Sequence, residues 1–83
     1  MATQPITQIV PLELLRPCEH GIIHDVSGDE EIVHRLEEMG LRPDVALTML
    51  QPGQPCIIRL GDHRLTFRME KSLQILVEVP LGS

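Results

Sequence analysis

The hydrophobic positions between residues 29 and 40 recur at the spacing of an α-helix. Its apolar face consists of Ile32, Val33, Leu36 and Met39. Residues three and four apart lie on one side of a helix, so this face is expected to pack against a core. Asp29, or Ser27 just before it, can cap the start of the helix, and Gly40 can adopt the left-handed conformation that ends one. We therefore predict an amphipathic helix of about three turns in this segment.

Elsewhere the hydrophobic period is two, which is typical of strands with one buried face. Five such runs occur, at residues 21–27, 45–50, 56–60, 64–69 and 74–79. In the fourth run Leu65 and Phe67 are expected to face the core. The pattern predicts a mostly β fold, a small barrel of about five antiparallel strands, with one α-helix between the first and second strands.

These elements predict a single domain over residues 12–80. The chain has 83 residues, close to the lower limit for a self-sufficient core, so a second domain does not fit. Residues 1–11 contain Thr, Gln and Pro without a long periodicity, and we expect a partly flexible N-terminal segment there, with the first five residues loose. Residues 81–83 are expected to form a C-terminal tail.

Composition and charge narrow the functional classes. The chain has one Phe and neither Trp nor Tyr, so it has no aromatic platform on which bases could stack. Its formal net charge of -5 disfavours nucleic acid as the main partner. Apolar runs are far shorter than the roughly 20 residues that cross a bilayer, and no leader pattern occurs. With two cysteines, interpreted as free thiols, these features predict a cytoplasmic protein without direct membrane insertion.

Several residues resemble the FeoA family, small cytoplasmic proteins associated with the bacterial ferrous iron transporter FeoB. The first half of the family pattern is matched by Leu12, Leu15, Gly21, Ile23, Gly28, Arg35, Leu36, Gly40, Leu41 and Pro43. The most specific segment is Arg-Leu-Glu-Glu-Met-Gly-Leu-Arg-Pro at residues 35–43. The paired strands around 55–68 and the closing strand are similar too. The resemblance covers nearly the whole chain and implies an SH3-like barrel.

The chain departs from the family pattern at three places. Asp44 stands where the family usually has Gly, and Asp tolerates a left-handed conformation better than most residues. The loop at residues 51–55 looks shorter than usual, and Ser72 stands where Ala is common. We expect all barrel positions to be kept.

A connection with ferrous iron directs attention to possible ligands. Cys18, Glu19, His20 and His24 are the donors that lie closest in sequence. On an extended chain, however, residues 20 and 24 lie about 13 Å apart and cannot share one ion without a turn. We therefore predict no metal site and no cofactor. A metal-sensing regulatory module, related to the C-terminal SH3-like domain of iron-dependent repressors, remains the alternative function.

Catalysis has less support in the sequence. No Gly-x-Ser-x-Gly setting and no phosphate-binding loop occurs, so nucleotide hydrolysis would belong to a partner. A barrel of this size is filled by its own side chains. We predict that the chain is not an enzyme; a thiol enzyme would require an activated Cys18.

The remaining interpretation is a binding module that uses the barrel surface. Its predicted contact residues are Leu50, Leu76, Arg59, Arg64, Arg68, Glu37 and Glu38. Leu50 and Leu76 are expected on the outer faces of their strands. The arginines of the hairpin protect a strand edge or bind a partner there, and the acidic helix face is solvated or steers a basic patch. The implied partner is the cytoplasmic GTPase portion of a ferrous iron transporter, bound by a monomer or weak oligomer.

Overall fold

The computed structural model describes residues 6–81 and contains one antiparallel sheet of six strands and one helix. The strands are β1 (Thr7–Pro11), β2 (His20–Gly28), β3 (Ala46–Gln51), β4 (Cys56–Leu60), β5 (His63–Phe67) and β6 (Leu73–Pro80), and helix α1 is Glu30–Glu38. A single 3-10 turn, Leu12–Leu14, follows β1. The order in the sheet is β1-β6-β2-β3-β4-β5, so the barrel is not closed between β1 and β5. The mostly β, SH3-like fold with one helix is confirmed.

The sixth strand, β1, was not predicted. It lies in the segment expected to be partly flexible, and it pairs with β6 from Thr7 opposite Pro80 to Pro11 opposite Leu76. Five residues that end in Pro carry too short an alternation to predict a strand, and it is the partner strand that holds them in place. The prediction of loose residues 1–5 lies outside the described residues, as do residues 82 and 83 of the expected tail.

Helix α1 has the predicted ends. Asp29 is the N-cap, and its carboxylate accepts hydrogen bonds from the amides of Glu31 (3.0 Å) and Ile32 (3.3 Å). At the other end the Leu41 amide bonds the Leu36 carbonyl (2.9 Å) and the Gly40 amide bonds the Glu37 carbonyl (3.0 Å). This pair of bonds is the Schellman motif, and it requires the φ of +104° found at Gly40.

The helix packs Ile32, Val33 and Leu36 against the core and is tied to the β4–β5 hairpin. Met39, predicted on the same face, is instead 40% exposed, because it lies at the end of the helix. Leu36 is buried in the core, and Leu41 is folded back into it with no exposed surface. The His63 ring nitrogen Nε2, in the hairpin, lies 3.3 Å from the Met39 carbonyl oxygen at the helix end. Within residues 6–81, no helix has the length and apolar character needed to span a membrane.

Two residues other than glycine adopt left-handed backbone conformations in turns. Asp44, which replaces the glycine usual in the family pattern, has φ +72°, and its amide bonds the Ile23 carbonyl (2.8 Å). The expected turn is therefore kept. Cys18 has φ +74° at the third position of a turn closed by the Glu19 amide and the Arg16 carbonyl (3.1 Å). Glycine at either position would adopt the same positive φ without a steric penalty.

Strands β2 and β6 approach each other closely where β2 carries glycine. A methyl group at Gly21 would overlap the Val77 side chain, and one at Gly28, whose φ is +131°, would overlap the carbonyl oxygen of Ser72. The Ser72 carbonyl instead accepts a hydrogen bond from the Asp29 amide (2.9 Å), which leads directly into the helix. Gly28 thus joins the end of β2, the start of β6 and the start of α1.

We expect Gly28→Ala to lower the free energy of unfolding by more than about 3 kcal/mol, because it adds a backbone overlap to an unfavourable φ. Gly53→Ala is the matched control: Gly53 has φ +114° but open space around it, so only the backbone term of about 1–3 kcal/mol applies. Urea unfolding followed by circular dichroism measures both, since the chain has no Trp or Tyr. Equal losses would contradict the overlap at Gly28.

Candidate functional site

The chemistry-bearing side chains of this fold lie outside its core. The interior is filled by Leu, Ile, Val, Met and Cys56, and none of the polar or charged side chains described is buried. Inward positions of β2, β3 and β6 alternate with outward ones, so each strand presents every second residue to solvent. A functional site must therefore be sought on the surface, and the outer face of the sheet is its largest regular part.

A groove of about 560 Å³ crosses the outer side of β2, β3 and β6. Its apolar lining includes Ile22, Ala46 and Pro80, all three of them exposed. Ile22 is opposite Ala46 on one side and Glu78 on the other, and 46% of its surface is exposed. Glu78 accepts a hydrogen bond from the Thr7 hydroxyl (2.7 Å) at that end of the groove. We call this feature the apolar groove.

A row of four polar side chains borders the apolar groove and crosses four strands. His20 is opposite Thr48, Thr48 is opposite Arg59, and Arg59 is opposite Arg64. Directly opposed residues lie on the same face with Cβ atoms about 5 Å apart. The His20 Nδ1 atom lies 2.9 Å from the Thr48 hydroxyl. We call these residues the cross-strand row; Arg59 belongs to both the row and the groove lining.

The two arginines of the cross-strand row face each other without a carboxylate partner. Among residues 6–81 the ion pair found joins His34 and Glu38, at 3.0 Å, on the helix. Both Arg59 and Arg64 are exposed. Like charges directly opposite each other destabilise a sheet. The pair therefore raises the energy of the folded protein and leaves two guanidinium groups free to bind an anion.

The structure brings together two of the seven residues predicted as partner contacts, Arg59 and Arg64. Arg68 follows β5 and is exposed, beyond the last paired residue of that strand. Leu50 lies at an irregularity of the β3–β4 pairing. Leu76, on β6, is opposite Pro11 and Asp25. Both leucines are half-buried rather than open.

Helix α1 carries the two predicted acidic contacts. Glu37 is half-buried, and its backbone carbonyl accepts a hydrogen bond from the Arg42 Nε atom (2.9 Å). Glu38 is exposed and paired with His34. Their part in partner binding stays a prediction.

Sequence reasoning missed the apolar groove. Ile22 and Ile23 are adjacent in β2, so one of them must face outward, but period-two alternation does not say which. The sheet decides it: Ile23 is fully buried, and Ile22 is left on the outside. The last strand was predicted to end at residue 79, whereas Pro80 is the last paired residue of β6. The two adjacent isoleucines could have indicated the groove, because consecutive apolar residues in a strand place one apolar side chain on each face of the sheet.

The donors considered for a metal ion do not form a cluster. The Cys18 amide bonds the Met49 carbonyl (2.7 Å), and the Glu19 carboxylate accepts from the Arg16 amide (2.6 Å) within the turn. His20 points to Thr48 and belongs to the cross-strand row. Within residues 6–81, no group of three or more His, Cys, Asp or Glu side chains lies close enough to hold a metal ion.

The two cysteines lie in opposite environments. Cys18 is an exposed free thiol in its turn, and Cys56 is a free thiol in the core. Burial, and to a smaller extent the negative charge of Glu13, raise the pKa of the Cys56 thiol to about 11. A raised pKa suppresses the thiolate, which is the reactive form. Cys56 is therefore a packing residue.

Comparisons with known proteins agree on one relationship. The family model described as the FeoA domain matches residues 10–79, from β1 to β6. Among solved structures, the chain is similar to a crystal structure of an iron uptake regulatory protein, FeoA, with 25% sequence identity and a TM-score of 0.74. That alignment covers 87% of this chain and 100% of the other. No curated protein matches the chain.

Alkylation of the native protein at pH 8 is expected to modify Cys18 alone, because Cys56 is buried and its pKa is about 11. Iodoacetamide treatment followed by mass spectrometry should show one adduct on the folded protein and two in denaturant. Cys18→Ser should abolish the native adduct. A second fast adduct on the folded wild type would contradict the packing assigned to Cys56.

Arg64→Glu is expected to stabilise the fold by about 0.5–1 kcal/mol, because it replaces a like-charge pair opposite Arg59 with an ion pair. The control Arg68→Glu makes the same change in net charge outside the paired register of β5. Urea unfolding at low salt compares the two. Equal effects from both variants would show that net charge, and not the cross-strand pair, determines the result.

Proposed function

The chain belongs to the FeoA family, and we propose that it acts as an accessory protein of ferrous iron uptake that binds the FeoB-type transporter. The proposed partner is the cytoplasmic GTPase portion of that transporter, and the proposed place of action is the cytoplasm. The chain performs no chemistry of its own in this role. It modulates uptake by occupying a surface of its partner, as a monomer or weak oligomer.

The observation that carries the proposal is the match of the FeoA domain to residues 10–79. The similarity to the iron uptake regulatory protein supports the same process. The outer face adds a physical argument: an exposed apolar groove bordered by two unpaired arginines has the makeup of a protein-binding patch. Arginine is enriched in such patches because its planar guanidinium group makes bidentate hydrogen bonds with carboxylates.

The predicted contact residues divide over two surfaces under this proposal. Arg59 and Arg64 lie on the outer face of the sheet, and Glu37 and Glu38 lie on helix α1. The sheet surface offers both apolar area and positive charge, whereas the helix surface is acidic. We propose that the sheet surface makes the main contact and that the acidic helix surface affects the rate of association, since exposed charges affect association rates more than affinity.

Isothermal titration with the isolated soluble GTPase portion of the FeoB-type transporter from the same organism tests the proposal. We expect binding in the micromolar range at low salt, weakened as salt rises. Ile22→Asp, in the apolar groove, should weaken binding at least tenfold, an effect of about 1.4 kcal/mol.

The matched control is Leu14→Asp, the same kind of change at another exposed position, on the 3-10 turn where 66% of the leucine is exposed. This variant should bind as the wild type does. Absence of binding at high micromolar concentrations and low salt would overturn the proposed partner.

A further inference from the structure

We propose that the apolar groove and the arginine pair form one binding site for an extended acidic segment, in which two carboxylates lie three and four residues from an apolar side chain. This inference rests on the proposed function and names the kind of segment that the outer face would take from its partner. The observation behind it is the position of the two features on one face, joined by Arg59, which belongs to both.

The charge of the site selects its ligand. Arg59 and Arg64 are the two cations of the cross-strand row, and neither is neutralised by a carboxylate among residues 6–81. The chain as a whole has a net charge of -5, so this row is positive on an otherwise acidic protein. A ligand carboxylate placed between the two guanidinium groups removes their mutual repulsion and makes charge-assisted hydrogen bonds with both.

The apolar part of the site supplies the anchor. Ile22, Ala46 and Pro80 offer exposed apolar surface in a groove of about 560 Å³, a volume of the size that ligand sites have. Burial of a leucine side chain is favourable, and part of this gain is available in an open groove. The arginine pair alone would bind any anion. The apolar groove adds selectivity for an anionic segment that also carries an apolar residue.

Sheet geometry sets the spacing between anchor and carboxylates. Ile22 is opposite Ala46 on β3, and Arg59 is opposite Thr48, two residues further along the same strand. Neighbouring strands lie about 4.8 Å apart and residues rise about 3.4 Å, so Ile22 and Arg59 are about 12 Å apart on the face. An extended chain covers this distance in three to four residues at about 3.3 Å each.

The other end of the groove fixes the side of the anchor on which the carboxylates lie. Glu78, held by the Thr7 hydroxyl, lies on the side of Ile22 away from the arginines. Carboxylates on that side of the anchor would meet Glu78, where like charges repel. The favoured arrangement therefore has the acids on the arginine side of the anchor, in whichever direction the segment runs. Nucleic acid, which has charge on every residue, would meet the same repulsion.

The test uses fluorescence anisotropy with a labelled peptide of the sequence Ser-Gly-Leu-Ser-Ser-Glu-Glu-Ser-Gly and the 83-residue chain. We expect saturable binding at low salt. Replacing Leu by Ser in the peptide, or both Glu by Gln, should weaken binding at least fivefold. Moving Leu next to the two Glu residues should weaken it to a similar extent, because the anchor then no longer reaches Ile22. Equal binding of the two spacings would overturn the assigned geometry.

Protein variants locate the binding. Arg59→Gln and Arg64→Gln should each weaken peptide binding at least threefold, without a loss of thermal stability because each removes a like-charge contact. The matched control Arg35→Gln, an exposed arginine on the helix, should bind the peptide as the wild type does. Equal effects from all three variants would overturn the inference, as would tighter binding of a single-stranded oligonucleotide of the same length.

The outcomes separate this inference from the proposed function. If the transporter domain binds but the peptide does not, and Arg59→Gln leaves domain binding unchanged, the site assigned here is wrong while the partner stands. If the peptide binds with the predicted spacing but the domain does not, the proposed partner is wrong and the preference for an acidic segment stands.

Discussion

The close approach of β2 and β6 is the constraint on which the rest of this structure depends. It is possible because β2 carries no side chain at Gly21 and Gly28, so that Val77 and the Ser72 carbonyl occupy that space. β2 in turn carries Ile22 and His20 on its outer side and leads into the helix through Asp29. The core, the groove and the helix start are therefore positioned by one strand pair.

Much of the fold was predictable because its signals are local. The Asp29 cap, the Gly40 terminus and the strand over residues 56–60 were predicted from the sequence and are present in the structure. β1 was not predictable, because its pairing with β6 joins residues about 70 positions apart. The site was not predicted, for a related reason. Arg59 and Arg64 were named as contacts, but only the strand register shows that His20 and Ile22 lie on the same face.

The interior and the surface of the described residues differ in their chemistry. Every side chain buried in the described core is apolar, and the buried thiol has a pKa of about 11. Such a core stabilises the fold and offers no reactive group. The outer face, in contrast, keeps an arrangement that is unfavourable for stability, two opposed arginines beside exposed isoleucine. Surfaces that sacrifice stability in this way are commonly retained for recognition.

The contact between His63 and the Met39 carbonyl has a consequence for cooperativity. Helix α1 has nine residues, fewer than the about 12–15 that an isolated helix needs to be stable in water. Its C-terminal end is held by a hairpin that follows it by more than twenty residues in sequence. The helix is thus not an autonomous folding unit, and the contact at its C-terminal end comes from a hairpin synthesised after it. On the ribosome, this end of α1 gains the contact only after His63 has emerged.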